Sequence, residues 1–159
     1  HRYPSETGQE DFVTLVEDEG QAFGWTAVTR FAEDDIILFI KDPRVMPITM
    51  LWQSNGGRTY APWNGRHSGV LGIEDGCCAG AATLAQAAGD NPIAREGVAT
   101  TLPLRPDLRS QIRHAIAVVP RPSGWSGVDR VDVSRNGLTL TSLTGAQTDV
   151  AFDLGFFGL

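Results

Sequence analysis

The sequence predicts an all-β protein, an antiparallel β-sandwich with one short helix. Three observations carry that expectation. Short runs rich in Val, Ile, Thr, Phe and Trp recur along the 159 residues. Turn-forming Gly, Pro, Asn and Asp separate them at regular spacing, and only one segment is rich enough in Ala to suggest a helix. Regular spacing admits a barrel as the alternative closure. One domain of this size buries a substantial core, and the expectation is a single sandwich domain over residues 1–159.

Element by element, Phe12, Thr14 and Val16 alternate with Val13 and Leu15 in a first strand. Phe23, Trp25, Ala27 and Thr29 share one side of the second. Asp35-Ile-Ile-Leu-Phe-Ile-Lys41 is an apolar run bounded by charge, as expected for a strand covered on both faces. The acidic turn Glu33-Asp34-Asp35 makes these two a hairpin. Pro43 and Pro47 bracket a turn before a strand over 48–53. Gly56-Gly57 and Pro62 mark 54–68 as a long ordered loop, a length that is usually functional. A short strand over 70–74 follows, then an Ala-rich helix over 79–88 ending at Gly89. Strands are expected over 98–104 and 110–119, joined by Arg105-Pro-Asp-Leu-Arg109. Three more, over 128–133, 137–141 and 148–154, form a terminal antiparallel set with Arg135-Asn-Gly137 as a tight turn.

Composition narrows the function classes. Hydrophobic residues make up 42% and charged residues 20%, the balance of a globular chain. A net charge of −6 argues against nucleic acid or an anionic membrane as partner, since both call for a basic face. No apolar run approaches the length of a membrane span. The only cysteines, Cys77 and Cys78, are adjacent. Vicinal side chains diverge on an extended chain and no second pair exists, so they read as packing residues, and a reducing, cytoplasmic setting is the expectation. Neither a metal site nor a cofactor is expected, since Cys-x-x-Cys spacing and the Lys-Ser/Thr ending of a phosphate loop are missing, and no Gly-x-Ser-x-Gly elbow supports a serine-histidine-aspartate arrangement.

The chemistry concentrates between Leu51 and Asp75. Trp63-Asn-Gly-Arg-His67 offers a stacking face, an amide, a cation and an imidazole, and Asn55 and Arg58 precede it. Sugars present an apolar C–H face and a rim of hydroxyls, and these residue types match both. The competing reading makes Trp63 a plug over the core and Arg58 or Arg66 partners of surface acids, pairs that are common and weak. On the following strand Val70, Gly72 and Glu74 share a face, with Leu71, Ile73 and Asp75 on the other. Leu71 and Ile73 are expected in the core. Gly72 leaves room for a ligand ring beside Glu74, or else permits close packing beside a solvated acid. His114 alternates with Ile112, Ile116 and Val118, as a hydrogen-bonded core histidine would.

Met50-Leu-Trp-Gln-Ser-Asn-Gly-Gly-Arg58, Pro62-Trp-Asn-Gly-Arg-His67 and Gly69-Val-Leu-Gly-Ile-Glu-Asp75 together resemble the C-terminal half of galactose mutarotase-like proteins, the aldose 1-epimerase superfamily. The likeness extends as an order of strands over residues 11–119 and is specific between Met50 and Asp75. It implies a large β-sandwich, no cofactor, a small-molecule sugar as partner and interconversion of sugar anomers by acid/base ring opening. Glu74 matches the position of the catalytic glutamate. Asn55, Arg58, Trp63, Asn64, Arg66 and His67 become the substrate-binding candidates. The family's catalytic histidine lies in an N-terminal half with no counterpart here. The resemblance therefore implies the C-terminal portion of a longer protein, paired with a missing N-terminal half or with a second copy of itself. A non-catalytic carbohydrate-binding sandwich is the alternative.

Overall fold

A computed structural model of the chain describes residues 2–4, 6–18 and 20–158. It is mostly β, as the sequence predicts, and among the described residues nine strands form three antiparallel sheets. The described chain divides into two compact units: one spans residues 1–20 and 43–110, the other 21–42 and 111–159.

The second unit holds the sandwich. Strands β2 (Gly24–Arg30), β3 (Asp35–Lys41) and β6 (His114–Pro120) form one sheet. Strands β7 (Val128–Ser134), β8 (Gly137–Ser142) and β9 (Gln147–Ala151) form the other. Ile36, Leu38 and Ile40 of β3 alternate inward and are at most 1% exposed, meeting Leu138 and Leu140 of β8, Val131, Trp125, Phe23 and Phe157. Each such aliphatic side chain contributes about 1.5–3 kcal/mol on burial. Trp25 and Ala27 of β2 pack against the same core, on the side the alternation assigns them.

The β2–β3 turn is pinned by Arg30, which donates Nε to Asp35 Oδ1 at 2.8 Å. Asp34 there takes a positive φ of 56°. Gly137 has φ 149°, and a Cβ at that point would lie 2.2 Å from the Val150 carbonyl oxygen, so only glycine fits the hairpin at this register.

Strand β6 departs from expectation. Its inward set is Ala115, Ala117 and Val119, while Ile116 and Val118 point outward and are 62% and 60% exposed. His114 therefore lies on the outward face, half-buried, with its ring 6.4 Å from that of Phe39. Side-chain size misled the parity: the sheet packs closely through small residues at this position.

The first unit is a three-stranded sheet in the order β1 (Gln9–Val16), β4 (Ile48–Asn55), β5 (Val70–Gly76). The expected strand over 98–104 does not form; residues 98–113 run irregularly, with Pro103 and Pro106 unable to supply ladder donors. Thr100 instead donates to the Ala87 carbonyl at 2.7 Å. The helix over 79–88 shortens to α1 (Leu84–Ala88), because Gly80 adopts φ 64° and Thr83 with Gln86 forms a capping box that starts the helix at Leu84. A second short helix, α2 (Pro92–Arg95), follows directly, capped by Asn91 with Pro92 at its first position.

Candidate functional site

The register of the β1–β4–β5 sheet creates the site. Pairings Glu10↔Ser54↔Val70, Phe12↔Trp52↔Gly72 and Thr14↔Met50↔Glu74 stack three rows on one face. Leu71 and Ile73 lie on the opposite face, as strand parity requires. They are only half-buried, however, and the well-buried apolar side chains of this sheet, Ile48 and Met50, share the Glu74 face. Sequence alternation reports opposite faces without saying which is the drier.

The loop over 56–69 folds back over this face. Gly56 donates its N–H to the His67 carbonyl at 2.8 Å, and Gly65 donates to Arg58 O at 2.8 Å. Both glycines have positive φ, which is what lets the chain reverse twice in so few residues. Asn55 staples the loop ends: its Nδ2 donates to the Glu6 carbonyl and its Oδ1 accepts from Gly69 N at 2.9 Å. Arg66 donates Nη2 to Pro62 O at 2.7 Å and closes the loop's own turn. Asn64 sits at the exposed tip with φ 48°. Of the predicted binding residues, Asn55 and Arg66 are thus engaged in loop architecture and Asn64 is solvent-facing.

Arg58, Trp63 and His67 do come together, around Trp52. The Arg58 guanidinium lies 4.6 Å from the Trp52 ring and 4.9 Å from the Trp63 ring. His67 stacks on Trp52 at 5.0 Å and meets Trp63 edge-on at 5.2 Å. Phe12 lies parallel to Trp52 at 5.9 Å. Such cation–aromatic contacts contribute about 0.5–2 kcal/mol each, more as they are desolvated.

Beneath this layer is Glu10, a residue that no sequence motif singles out. Its Oε1 accepts from Trp52 Nε1 and from Arg58 Nε, both at 2.6 Å, and its Oε2 accepts from Ser54 Oγ at 2.9 Å. Burial pushes the Glu10 carboxyl upward, but the hydrogen bonds from Trp52 and Ser54 and the Arg58 charge outweigh it and hold the group below its ordinary value of 4.5. Ser54, fully buried, also contacts His67 Nδ1 at 2.7 Å. Tyr3 donates its hydroxyl to the carbonyls of Ser54 and Val70, at 2.6 and 2.7 Å, tying the chain's start to this row. The signal for Glu10 lies in its register opposite Ser54, which no local motif encodes.

Glu74 is exposed, and among the described residues no hydrogen bond or ion pair engages it. The notch at Gly72 is not open: a Cβ there would meet Trp52 Cβ and Cε3 at 3.3 Å, with Glu74 Oε1 at 3.8 Å. The indole fills the room that glycine leaves, and Glu74 borders it across the strand.

Two concavities of the first unit, of about 530 and 460 Å³, are lined by residues around α1 and α2 and by Pro4, Glu6, Thr7 and Asn55 respectively. Neither includes Trp52, Trp63 or Glu74; Trp52 and Trp63 are half-buried. Among the described residues no group of three or more His, Cys, Asp or Glu is placed to hold a metal ion. Among the described residues no helix is long and apolar enough to cross a membrane. Cys77 and Cys78 are free and half-buried; burial, then the neighbouring Cys78, raises the Cys77 thiol.

Comparison with known proteins finds no matching family model, no matching curated protein and no matching solved structure.

Proposed function

We propose that the first unit carries a carbohydrate-binding surface formed by Trp52, Arg58, Trp63 and His67, with Glu74 at its margin. The observation that carries this reading is the guanidinium of Arg58 held between two indoles, with its charge met by Glu10. The clamp presets aromatic faces before any ligand arrives, so little side-chain freedom is lost on binding. An indole offers a sugar its C–H contact, and the His67 imidazole and the Glu74 carboxylate offer partners for hydroxyls.

The second reading is that of an aldose 1-epimerase-like isomerase, and the unengaged carboxylate of Glu74 favours it. Mutarotation needs a base to take the anomeric hydroxyl proton and an acid to protonate the ring oxygen. The C1–O bond of the ring then breaks, the C1–C2 bond rotates, and the ring closes on the other face of the carbonyl. Glu74 is the candidate base, sharing its sheet face with Trp52.

Two assays separate the readings. Titration with D-galactose or D-glucose should saturably change tryptophan emission in the wild type and not in Trp63→Ala. Polarimetry of a freshly dissolved α-aldose should show accelerated equilibration only if the isomerase reading holds. Saturable binding without acceleration leaves the binding element; no response in either assay removes both.

A further inference from the structure

Ser54 has one hydroxyl hydrogen and two strong neighbours, and that shortage determines the state of His67. Glu10 Oε2 lies 2.9 Å from Ser54 Oγ on one side and His67 Nδ1 lies 2.7 Å on the other. Glu10 already accepts from Trp52 and Arg58 through its other oxygen, the environment of an ionised carboxylate. An ionised carboxylate only accepts, so the Ser54 hydrogen must point at Glu10. The oxygen then presents lone pairs to Nδ1, and contact at 2.7 Å requires that Nδ1 carry the proton. The direction of the Glu10 shift, below its ordinary value, agrees with an ionised group.

The other ring nitrogen is then the lone-pair acceptor. Nε2 has no hydrogen-bond partner among the described residues, yet it is not among their buried unpaired polar atoms, so it meets solvent. The ring cannot readily turn away: Trp52 stacks on it and Trp63 abuts it edge-on.

We infer that Glu10 and Ser54 are positioning residues that hold His67 as its Nδ1–H tautomer, so that Nε2 accepts a hydrogen bond from a ligand hydroxyl at the edge of the Trp52–Trp63 cluster. This rests on the carbohydrate reading for the ligand and on hydrogen-bond accounting alone for the tautomer. It assigns a function to two residues that no local motif marks, and it makes His67 selective: a hydroxyl or ammonium donor is welcome at Nε2, whereas a carbonyl or carboxylate oxygen meets a lone pair.

The test is long-range ¹H–¹⁵N NMR of the labelled chain above the pH at which imidazole is protonated. The expected wild-type pattern has a protonated, pyrrole-like Nδ1 and a bare, pyridine-like Nε2 at His67. Ser54→Ala, which removes the relay with little change in volume, should return His67 to the Nε2–H form that imidazole ordinarily prefers; Glu10→Gln should weaken the bias. A wild-type His67 in the Nε2–H form, or no change in Ser54→Ala of native circular dichroism, overturns the positioning role. Addition of D-galactose should shift the Nε2 resonance. If galactose changes tryptophan emission and leaves Nε2 unmoved, the acceptor role is overturned. If galactose moves neither while the tautomer responds to Ser54→Ala, the sugar reading fails and the positioning of His67 stands.

Discussion

Replacing Glu10 by Gln tests how much of the first unit depends on one carboxylate. In the wild type it receives three donors, from Trp52, Arg58 and Ser54. The carboxamide keeps one acceptor oxygen, so either the Trp52–Arg58 pair or Ser54 loses its acceptor, and Arg58 loses its counter-charge. Hydrogen bonds to charged groups contribute about 1.5–3 kcal/mol each. The carboxylate and guanidinium are 20% and 22% exposed, so water screens part of that contribution. A net loss of about 2 kcal/mol in the local stability of the β1–β4–β5 sheet is expected, read by native-state hydrogen exchange at the β4 amides.

The pH dependence supplies a sign. The folded-state value of Glu10 lies below 4.5, so its stabilisation is complete above that pH and is lost as pH falls through the folded value. Glu10→Gln should therefore lose stability at neutral pH and show a shallower decline in acid than the wild type. A variant within about 0.5 kcal/mol of wild type at neutral pH, the range of ordinary surface substitutions, would refute the role assigned to Glu10.

Three further outcomes follow from the geometry. Leu38→Ala, at a position with no exposure in the sandwich core, should cost about 2–5 kcal/mol in urea unfolding followed at β3. Gly57→Ala places a Cβ 2.5 Å from the Gln9 backbone carbon, so it should disturb the β1 end of the first sheet and the Arg58 clamp together, seen as loss of exchange protection in β1. If the isomerase reading holds, Glu74→Gln should lower the mutarotation rate about 10²-fold or more in polarimetry, and an unchanged rate would remove Glu74 from the mechanism.

Much of the fold was legible because period-2 alternation and turn chemistry are local. Trp25 and Ala27 fell on the predicted side, and Arg135-Asn-Gly137 made the predicted hairpin. What failed was what depends on neighbours distant in sequence. The alternation of His114, Ile116 and Val118 looked like a core face, yet the core took the alanines between them. Residues 98–104 carried apolar residues at strand spacing, but Pro103 removes a ladder donor, and the Thr100 side chain donates to the Ala87 carbonyl and accepts from Asn91 beside the two short helices. At the site, Trp63, Arg58 and His67 could be selected as a cluster from one loop. Glu10 and Trp52 could not, since their roles arise from the pairing of β1 with β4 across more than forty residues. Gly72 left two readings open, room for a ligand or close packing, and the Trp52 indole takes up that room.

The central claim is that the aromatic cluster around Arg58 binds a sugar. The most direct measurement is a D-galactose titration of tryptophan emission in the wild type and in Trp63→Ala, each first shown to be folded by circular dichroism. A saturable change in the wild type that is absent from Trp63→Ala is the predicted result. A wild type that gives no saturable change with galactose or glucose, or a Trp63→Ala protein that responds as the wild type does, would contradict the claim.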